Sequence, residues 1–234
     1  MFVLAVIPAR GGSKGLLKKN VRELCGKPLI AYPIKYALQS KYISDLIVST
    51  DSPEIAKVAE QYGAKVPFMR PEELSGDLTT TEATLQHALL EYEKNFDQTV
   101  DLCVFLTATD AIRASFWIDE AIEKMMFDDG LESVFVGHPT HKNYWVQKDS
   151  QWVRVCSWMS EYSSRQIRQP VIREDTGLTC VSRAHLWREG RRIGDNVEII
   201  LNTDSLSSVD IHSETDLALA EFAVNLRSGD ADGR

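Results

Sequence analysis

The chain has 234 residues, of which 44% are hydrophobic and 26% are charged, and its formal net charge at pH 7 is −8. This composition is typical of a soluble globular protein, and the length fits one large domain or one domain with an insertion. The negative net charge argues against nucleic acid as a partner, because nucleic-acid-binding domains need a basic stripe.

The first predicted element is a buried strand at residues 2–7, which runs into a basic, glycine-rich loop. No acidic residue occurs in this loop before Glu23, so it forms a small positive field on an acidic protein. Glycine lets backbone N–H groups turn toward an anion, while arginine and lysine can neutralise a polyphosphate. The alternative is a solvated basic turn between a strand and a helix. The residues concerned are Gly11, Gly12 and Gly15 with Arg10, Lys14, Lys18 and Lys19.

Two familiar phosphate-binding motifs are missing from this loop. The pattern G-x-x-x-x-G-K-[ST] does not occur, so the sequence does not support a P-loop kinase. The dinucleotide fingerprint G-x-G-x-x-G does not occur either. The basic loop is therefore a candidate phosphate site of another type.

The elements that follow alternate between strand and helix. A helix is predicted at 29–38 and a second strand at 43–48. Ser52 as the N-cap and Pro53 at the first helical position begin another helix, which Gly63 ends. A short strand is predicted at 64–67. This alternation predicts a parallel sheet with right-handed crossover connections.

A capping box predicts the start of the next helix. Thr79 is followed three residues later by Glu82, which is the spacing that the motif requires. Apolar residues then recur on one helical face. They are Leu85, Ala88, Leu89 and Tyr92.

A fully apolar run at 102–106 predicts a central strand, and it leads into the polar segment 107–113. Ligands of open α/β sheets bind beyond the carboxyl ends of strands, so this segment is expected at a binding site. Asp110 either ligates a metal there or caps the next helix, predicted at 114–126. Another strand is predicted at 133–137.

Residues 138–174 break the regular pattern with many aromatic side chains. An irregular aromatic insertion favours an interface or a substrate lid. His138 and His141 have a spacing typical of metal ligands, but no third ligand follows, so zinc is not expected. Strands are then predicted at Val197–Leu201 and at 207–211.

A second capping box, from Ser213 to Asp216, begins the last predicted helix, whose apolar positions include Leu217, Ala220 and Val224. The polar tail at 228–234 is expected to be flexible, which leaves a single domain at 1–227. The four cysteines are far apart and form no C-x-x-C, so reduced thiols and a cytoplasmic location are expected. No apolar stretch is long enough to cross a bilayer, and the first apolar run reads as a strand rather than a signal peptide, so no membrane partner is expected.

The segments IPARGGSKGLLKKN and CGKPLIAYPI, within residues 6–34, closely resemble the N-terminus of the acylneuraminate cytidylyltransferases. This family makes CMP-activated nonulosonic acids from CTP. The resemblance implies a three-layer α/β/α sandwich of the nucleotide-diphospho-sugar transferase type, with a mostly parallel, Rossmann-like sheet. It also implies that CTP and a nonulosonic acid react to give a CMP-sugar and pyrophosphate.

The same resemblance implies the nucleotide site. Arg10 and Lys19 would hold the triphosphate, Arg70 would contact the cytosine, and Thr80 or Thr81 would face the nucleotide. The family pattern Q-P-T-S-P-L-R is here T-A-T-D-A-I-R, so Thr107 stands in place of a longer glutamine. The nucleotide-binding residues implied are Ala9, Arg10, Gly11, Gly12, Ser13, Lys19, Asn20, Arg70, Thr80 and Thr107.

The sugar site is implied by the aromatic insertion, which in the family forms a dimer and reaches the sugar. An arginine fork suits the carboxylate of a nonulosonic acid. Arg165 is the first candidate for that role and Arg173 the second, with Thr109 also facing the sugar. Of the family motif N-G-A-x-Y, the segment 175–180 keeps the glycine, as Gly177 with a one-residue ambiguity, but neither the Asn nor the Tyr, which leaves another sugar acid or another nucleotide as an alternative.

The metal site is implied by the family motif D-I-D, which appears here as Asp210, Ile211 and His212. Asp210 is the predicted ligand of Mg²⁺, with Mn²⁺ as the alternative because a neutral imidazole suits a softer ion. His212 and Asp110 remain open as further ligands. Arg10, Lys19 and Asp210 are the predicted catalytic residues, and no general base stands out. The altered motifs leave a non-catalytic nucleotide- or sugar-binding relative as the rival interpretation.

Overall fold

The computed structural model describes residues 1–227 in full and the backbone of the last helix as far as Asp232. The predicted flexible tail, 228–234, lies outside the fully described residues. The strands are β1 (Val3–Pro8), β2 (Glu23–Leu24), β3 (Lys27–Pro28), β4 (Asp45–Ser49), β5 (Leu102–Phe105), β6 (Ser133–Thr140), β7 (Trp145–Lys148), β8 (Gln151–Arg154), β9 (Val171–Glu174), β10 (Cys180–Arg183) and β11 (Val197–Leu201). The helices are α1 (Ala31–Gln39), α2 (Pro53–Gln61), α3 (Thr81–Phe96), α4 (Trp117–Phe127), α5 (Ala184–Arg188) and α6 (Glu214–Asp232).

A mostly parallel sheet forms the centre of the fold, with the strand order β11-β6-β10-β5-β1-β4. Strand β1 pairs in parallel with β4 and β5, and β11 pairs in parallel with β6. Strand β10 is antiparallel to both of its neighbours, and β9 joins the end of β6 in antiparallel orientation. The carboxyl ends of β1, β4, β5, β6 and β11 therefore lie along one edge of the sheet.

Strand β1 is apolar throughout because both of its faces are covered. Val3, Ala5 and Ile7 pack in one buried cluster with residues of α1, α2 and α4. Leu4 and Val6 point to the other face, where a second cluster includes residues of α3 and α5. Strands covered on both sides read as continuous apolar runs. The three-layer α/β/α arrangement is confirmed.

A third buried cluster lies beyond the carboxyl edge of the sheet. Helix α6 contributes Leu217 and Ala220, which pack with Leu16 of the basic loop and with Ala111 and Ile112 after β5. The last helix therefore supports the loops that follow β1 and β5.

Several local predictions are confirmed. Ser52 caps α2 by accepting a hydrogen bond from the Ile55 N–H, and Gly63 ends the helix with a φ of +96°. Helix α3 buries the predicted apolar face, and β11 has the predicted bounds. Among the described residues, no helix combines the length and the apolarity that crossing a membrane would require.

Other local predictions are wrong. The strand predicted at 64–67 is a single bridge between Lys65 and Ile47. The strand predicted at 207–211 is replaced by a 3₁₀ turn, Ser205–Ser208, because the Asp204 side chain accepts the Leu206 N–H and so favours a turn. Helix α3 is capped by Thr80 rather than Thr79, whose hydroxyl donates to the Glu73 carbonyl.

The insertion at 138–174 is more regular than its sequence indicates. It begins inside β6 and ends with β9, and these two strands pair with each other. Between them, β7 and β8 form a hairpin whose turn residues, Asp149 and Ser150, have positive φ values of 46° and 66°. Pairing between strands more than 30 residues apart is not visible in a local pattern, so the sequence showed only the aromatic content.

Helix α6 begins at the predicted capping box, in which Asp216 accepts three hydrogen bonds. They come from the His212 N–H at 3.0 Å, the Ser213 N–H at 2.8 Å and the Ser213 hydroxyl at 2.9 Å. In return, the Ser213 oxygen accepts the Asp216 N–H. These bonds, led by the one from the His212 backbone, lower the pKa of Asp216 below its usual 3.8.

We expect Asp216→Asn to destabilise the protein at pH 7, because the ionised carboxylate accepts these hydrogen bonds more strongly than an amide. A lowered folded-state pKa stabilises the fold above the unfolded value of 3.8, and that contribution is lost as pH falls through the folded value. The difference in urea midpoint between wild type and variant should therefore narrow below pH 3.8. Glu221→Gln on the same helix is the control, and a pH-independent difference for Asp216→Asn would contradict this account.

Candidate active site

A cavity of about 320 Å³ opens at the carboxyl edge of the sheet, beyond β1 and β5. This is where the topology of an open α/β sheet places a ligand. Four separate stretches of chain line it, together with His212 just before α6. They contribute Pro8, Arg10, Ser13, Lys19 and Asn20; Arg70, Leu74, Gly76 and Asp77; Thr79, Thr80, Thr81 and Thr84; and Phe105, Thr107, Ala108 and Thr109.

The glycine loop is held in place by hydrogen bonds to its backbone. The Gly11 N–H donates to Asp51 Oδ1 at 2.9 Å, and Asn20 Nδ2 donates to the Arg10 carbonyl at 2.9 Å. The Ala9 N–H donates to the Ser49 carbonyl. Ala9, Gly11 and Asn20 were predicted to touch the nucleotide, but here their polar groups shape the loop. Of these three residues, only Asn20 lines the cavity.

A carboxylate opposite the loop pairs with two of its four cations. Asp77 lies 3.0 Å from Arg10 Nη1 and 2.5 Å from Lys14 Nζ. These ion pairs, with the Lys14 hydrogen bond the largest cause, lower the pKa of Asp77. A triphosphate that engages Arg10 therefore has to replace Asp77 as its partner.

The other two cations of the loop, Lys18 and Lys19, place their side chains on different sides of it. Lys18 has a φ of 53° and pairs with Glu54 at 2.9 Å, outside the cavity. Lys19 is half-buried in the cavity and has no ion pair within the described part of the chain. Burial lowers the pKa of Lys19, and the nearby charge of Asp210 opposes that effect. Lys19 is thus the cation most available to a polyphosphate.

Arg70 forms the opposite wall and is 6% exposed. Its Nη1 donates to the Thr84 hydroxyl at 3.3 Å, and its Nη2 lies 3.7 Å from Asp51. Its Nε and Nη2 have no hydrogen-bond partner among the described residues. Buried donors are normally paired, so these two N–H groups suit an acceptor on a bound ligand. Thr80, also predicted here, uses its hydroxyl to cap α3.

The segment after β5 carries three linked polar side chains. The Thr107 hydroxyl donates to Asp110 Oδ2 at 2.5 Å and lies 3.2 Å from the Thr109 hydroxyl. Burial, together with the charge of Asp210, raises the pKa of Asp110 to about 6, although the Thr107 hydrogen bond opposes the shift. Asp110 does not cap α4, which begins only at Trp117, so that alternative is wrong.

The segment around Asp210 closes the cavity from the side of α6. Asp210 Oδ2 lies 2.8 Å from His212 Nε2, and both side chains are exposed. The Ile211 N–H donates to the Thr109 carbonyl, which ties this segment to the one after β5. A Cβ on Gly15 would lie 2.5 Å from the His212 carbonyl oxygen, so the glycine permits the close approach of the phosphate loop.

The two arginines predicted for the sugar lie in different places. Arg165 is exposed and lines a separate cavity of about 350 Å³, formed by the insertion with His138, His141, Lys142 and Arg168. Arg173 pairs with Asp175 at 2.6 Å, and the charges of Asp110 and Asp210 also raise its pKa, after the larger effect of Asp175. The second candidate of the sequence is therefore the one that lies within electrostatic range of the two carboxylates.

Sequence reasoning missed the structural role of two carboxylates. Asp51 and Asp77 hold the loop and its cations, although they lie 40 and 67 residues from their partners Gly11 and Arg10. Asp51 directly follows the carboxyl end of β4, a position that already indicates a site edge. Nothing in the spacing of Asp77 reveals its pairing with Arg10.

The carboxylates near the cavity offer hard oxygen ligands. Asp210 raises the pKa of Asp110, so the two like charges repel each other, and a divalent cation between the segments would relieve that repulsion. Among the described residues, no group of three His, Cys, Asp or Glu side chains forms a complete metal site. The donors thus fit Mg²⁺, which keeps waters and takes further ligands from a bound phosphate.

The chain is similar to known proteins in sequence and in fold. The cytidylyltransferase family model matches residues 4–126. The chain is 46% identical to the CMP-N,N'-diacetyllegionaminic acid synthase of Legionella pneumophila, over 97% of both chains. It is 38% identical over 145 residues to the pseudaminic acid cytidylyltransferase of Campylobacter jejuni, covering 62% of this chain and 61% of that one. The solved CMP:2-keto-3-deoxy-manno-octonic acid synthetase, complexed with CTP, gives a TM-score of 0.73 at 14% identity and covers 97% of this chain and 100% of that one. This likeness confirms the predicted fold class.

We expect Lys19→Met to weaken the binding of inorganic tripolyphosphate about tenfold or more, since a hydrogen bond to a charged group contributes ~1.5–3 kcal/mol. Lys18→Met is the matched control, because Lys18 is paired with Glu54 outside the cavity. Isothermal titration calorimetry measures both. Equal losses for the two variants would mean that the loop acts only through its general charge.

Proposed function

The chain belongs to the family of CMP-nonulosonic acid cytidylyltransferases, and we propose that it activates a nonulosonic acid of the diacetyllegionaminic type with CTP. The products are the CMP-sugar and pyrophosphate. The first acid to test is N,N'-diacetyllegionaminic acid, because the Legionella relative that is named for it matches nearly the whole chain.

The observation that carries this proposal is the arrangement of charge around one cavity. Lys19 and Arg10 supply cations at the end of β1, and Arg70, which lines the same cavity, has two buried nitrogens without a hydrogen-bond partner among the described residues. Asp110 and Asp210 supply carboxylates at the remaining side, close enough to influence the charge of Lys19. A triphosphate, a base and an acidic sugar need these three kinds of group.

The reaction joins the anomeric hydroxyl oxygen of the sugar to the α-phosphorus of CTP. The bond from that phosphorus to the bridging oxygen breaks, pyrophosphate leaves with the electron pair, and the hydroxyl proton passes to solvent. Phosphoryl-type transfers depend mainly on positioning and charge neutralisation. Arg10 and Lys19 hold the β- and γ-phosphates, Arg70 receives the base, and Arg173 faces the sugar carboxylate.

Asp210 would hold a divalent cation, with Asp110 as the second carboxylate. When bound, such an ion neutralises phosphate charge and lowers the pKa of a coordinated hydroxyl. The protein's own contribution is to orient the two carboxylates. The Ile211 N–H bond to Thr109 fixes the Asp210 segment, and the Thr107 hydroxyl orients Asp110.

The test is pyrophosphate release from CTP with Mg²⁺ and N,N'-diacetyllegionaminic, pseudaminic or N-acetylneuraminic acid, with UTP and GTP for comparison. We expect turnover with CTP and one of these acids. Asp210→Asn should lower kcat ~100-fold or more, since a metal ion contributes several kcal/mol to such a step. Asp195→Asn, an exposed carboxylate paired with Arg191, is the control. If the protein binds the nucleotide but turns over none of these acids, the proposed enzymatic activity is wrong. A non-catalytic nucleotide- or sugar-binding protein is then favoured.

We also propose that the chain forms a homodimer through the hairpin of β7 and β8 and the residues that follow it. Large apolar side chains are exposed on this insertion, including Trp152 at 66%, Tyr162 at 75% and Ile167 at 77%. Clusters of this kind mark interaction sites.

Sedimentation equilibrium should give twice the mass of the chain, and Trp152→Glu should shift the distribution toward the monomer. Phe127→Glu is the control, because Phe127 is 95% exposed at the end of α4, outside the insertion. A monomer at all concentrations would contradict the dimer.

A further inference from the structure

Arg113 is almost completely buried, at 1% exposure, behind the wall of the cavity. Its Nη2 donates to the carbonyl oxygens of Thr107 at 2.8 Å and Asp110 at 2.6 Å, and the Gly177 carbonyl lies at 3.3 Å. One guanidinium group thus binds two segments that are far apart in sequence. These are the segment after β5 and the segment before β10.

The two segments are also in close contact directly. The Thr107 N–H donates to the Gly177 carbonyl at 3.0 Å. A Cβ on Gly177 would lie 2.0 Å from Asp110 Oδ2 and 2.6 Å from the Thr107 hydroxyl. The absence of a side chain at Gly177 therefore sets where Asp110 and Thr107 can lie.

Burying a guanidinium group is costly unless its N–H groups are used. Arg113 lies over the Tyr36 ring at 5.7 Å, but its Nε and Nη1 have no hydrogen-bond partner among the described residues. Within the described residues, the Arg113 side chain donates hydrogen bonds only to backbone carbonyls beside the cavity, those of Thr107, Asp110 and Gly177. This placement is more specific than filling space in a core, where an apolar residue would serve.

We propose that Arg113 and Gly177 form a positioning clamp for the acceptor sugar. The inference rests on the proposed function and adds a residue role to it. Thr107 and Thr109 line the cavity, and Asp110 lies beside them within electrostatic range of Arg173, which we place at the sugar carboxylate. On this proposal Thr107 serves the sugar rather than the nucleotide. Asp110 is also a proposed metal carboxylate, so the clamp acts on the sugar and leaves the binding of CTP unchanged when no divalent cation is present.

The first test is Arg113→Lys, which keeps the charge but is too short to place its ammonium where Arg113 Nη2 meets the three carbonyls. We expect kcat/KM for N,N'-diacetyllegionaminic acid to fall about tenfold or more, since misplacement by ~1 Å can cost ~100-fold. The Kd for CTP, measured by calorimetry in the absence of the sugar and of divalent cations, should stay within about twofold of wild type. If Arg113 had only a structural role, Arg113→Lys would instead weaken the binding of both CTP and the sugar, or of neither.

Arg183→Lys is the matched control. Arg183 also donates to three backbone carbonyls, those of Leu131, Met125 and Asp128, at 3.0, 2.8 and 3.0 Å. It pairs with Leu102 at the start of β5, at the opposite edge of the sheet from the cavity. We expect this variant to lose stability without any change in the kinetics for the sugar.

Gly177→Ala tests the same clamp if Arg113→Lys does not fold. The added methyl group must displace Asp110 while Arg113 stays in place. We therefore expect kcat/KM for the sugar to fall again while the Kd for CTP stays unchanged. The clamp would be overturned if a folded Gly177→Ala had unchanged kinetics for the sugar. It would also be overturned if either variant weakened the binding of CTP as much as it lowered kcat/KM for the sugar. If wild type itself turns over no acid, the proposed function fails, and calorimetric binding of the acid to wild type and to Gly177→Ala still decides the inference.

Discussion

The concentration of positive charge at the end of β1 is the constraint on which the rest of the site depends. The protein is acidic overall, yet four cations follow one strand within ten residues. Like charges at this spacing repel each other, and carboxylates from distant parts of the chain reduce the repulsion by forming ion pairs with three of them. Asp77 pairs with Arg10 and Lys14, and Glu54 pairs with Lys18. Only Lys19 remains without such a partner in the described chain, and it lies inside the cavity.

A triphosphate therefore enters a site in which most cations are already neutralised. On the proposed function, the triphosphate replaces Asp77 as the partner of Arg10.

Much of the framework could be predicted because it follows from local pattern. The buried β1, the Ser52–Pro53 helix start, the apolar face of α3 and the capping box of α6 each depend on residues within a few positions of one another. The contacts that complete the site do not. The Gly11–Asp51, Arg10–Asp77 and Arg113–Gly177 pairs join residues that are 40 to 67 positions apart, and no periodicity encodes such contacts. The wrong prediction at 207–211 has a local cause, since Asp204 uses its side chain to form a turn. The sequence names both Arg165 and Arg173 for the sugar, but it does not show that Arg173 lies within electrostatic range of Asp110 and Asp210.

The departures from the family pattern are also clearer in three dimensions than in sequence. Thr107, Asp110 and Gly177 belong to two different motifs, and each motif alone reads as a loss of family residues. In the structure, the Thr107 hydroxyl and the Asp110 carboxylate bind each other, and Gly177 leaves room for both. The two exchanged residues, Thr107 and Asp110, are therefore coupled neighbours in one wall, and the glycine that the motif retains leaves the space they occupy.

The same reasoning applies to His212, which stands where the family pattern has a second aspartate. On the proposed mechanism this exchange removes one carboxylate from the metal side, and the imidazole further occupies one oxygen of Asp210 at 2.8 Å. The chain has, however, gained a carboxylate at Asp110, which is close enough to Asp210 for the two charges to interact. The number of acidic groups on that side is thus kept at two, although the second now comes from the segment after β5 instead of the segment before α6. Because Asp110 is held by Thr107 and packed against Gly177, its position depends on the wall that faces the sugar. Asp110 and Asp210 would hold a divalent ion together, so a change in the wall beside Thr107 and Gly177 would also change the charge supplied to the phosphates.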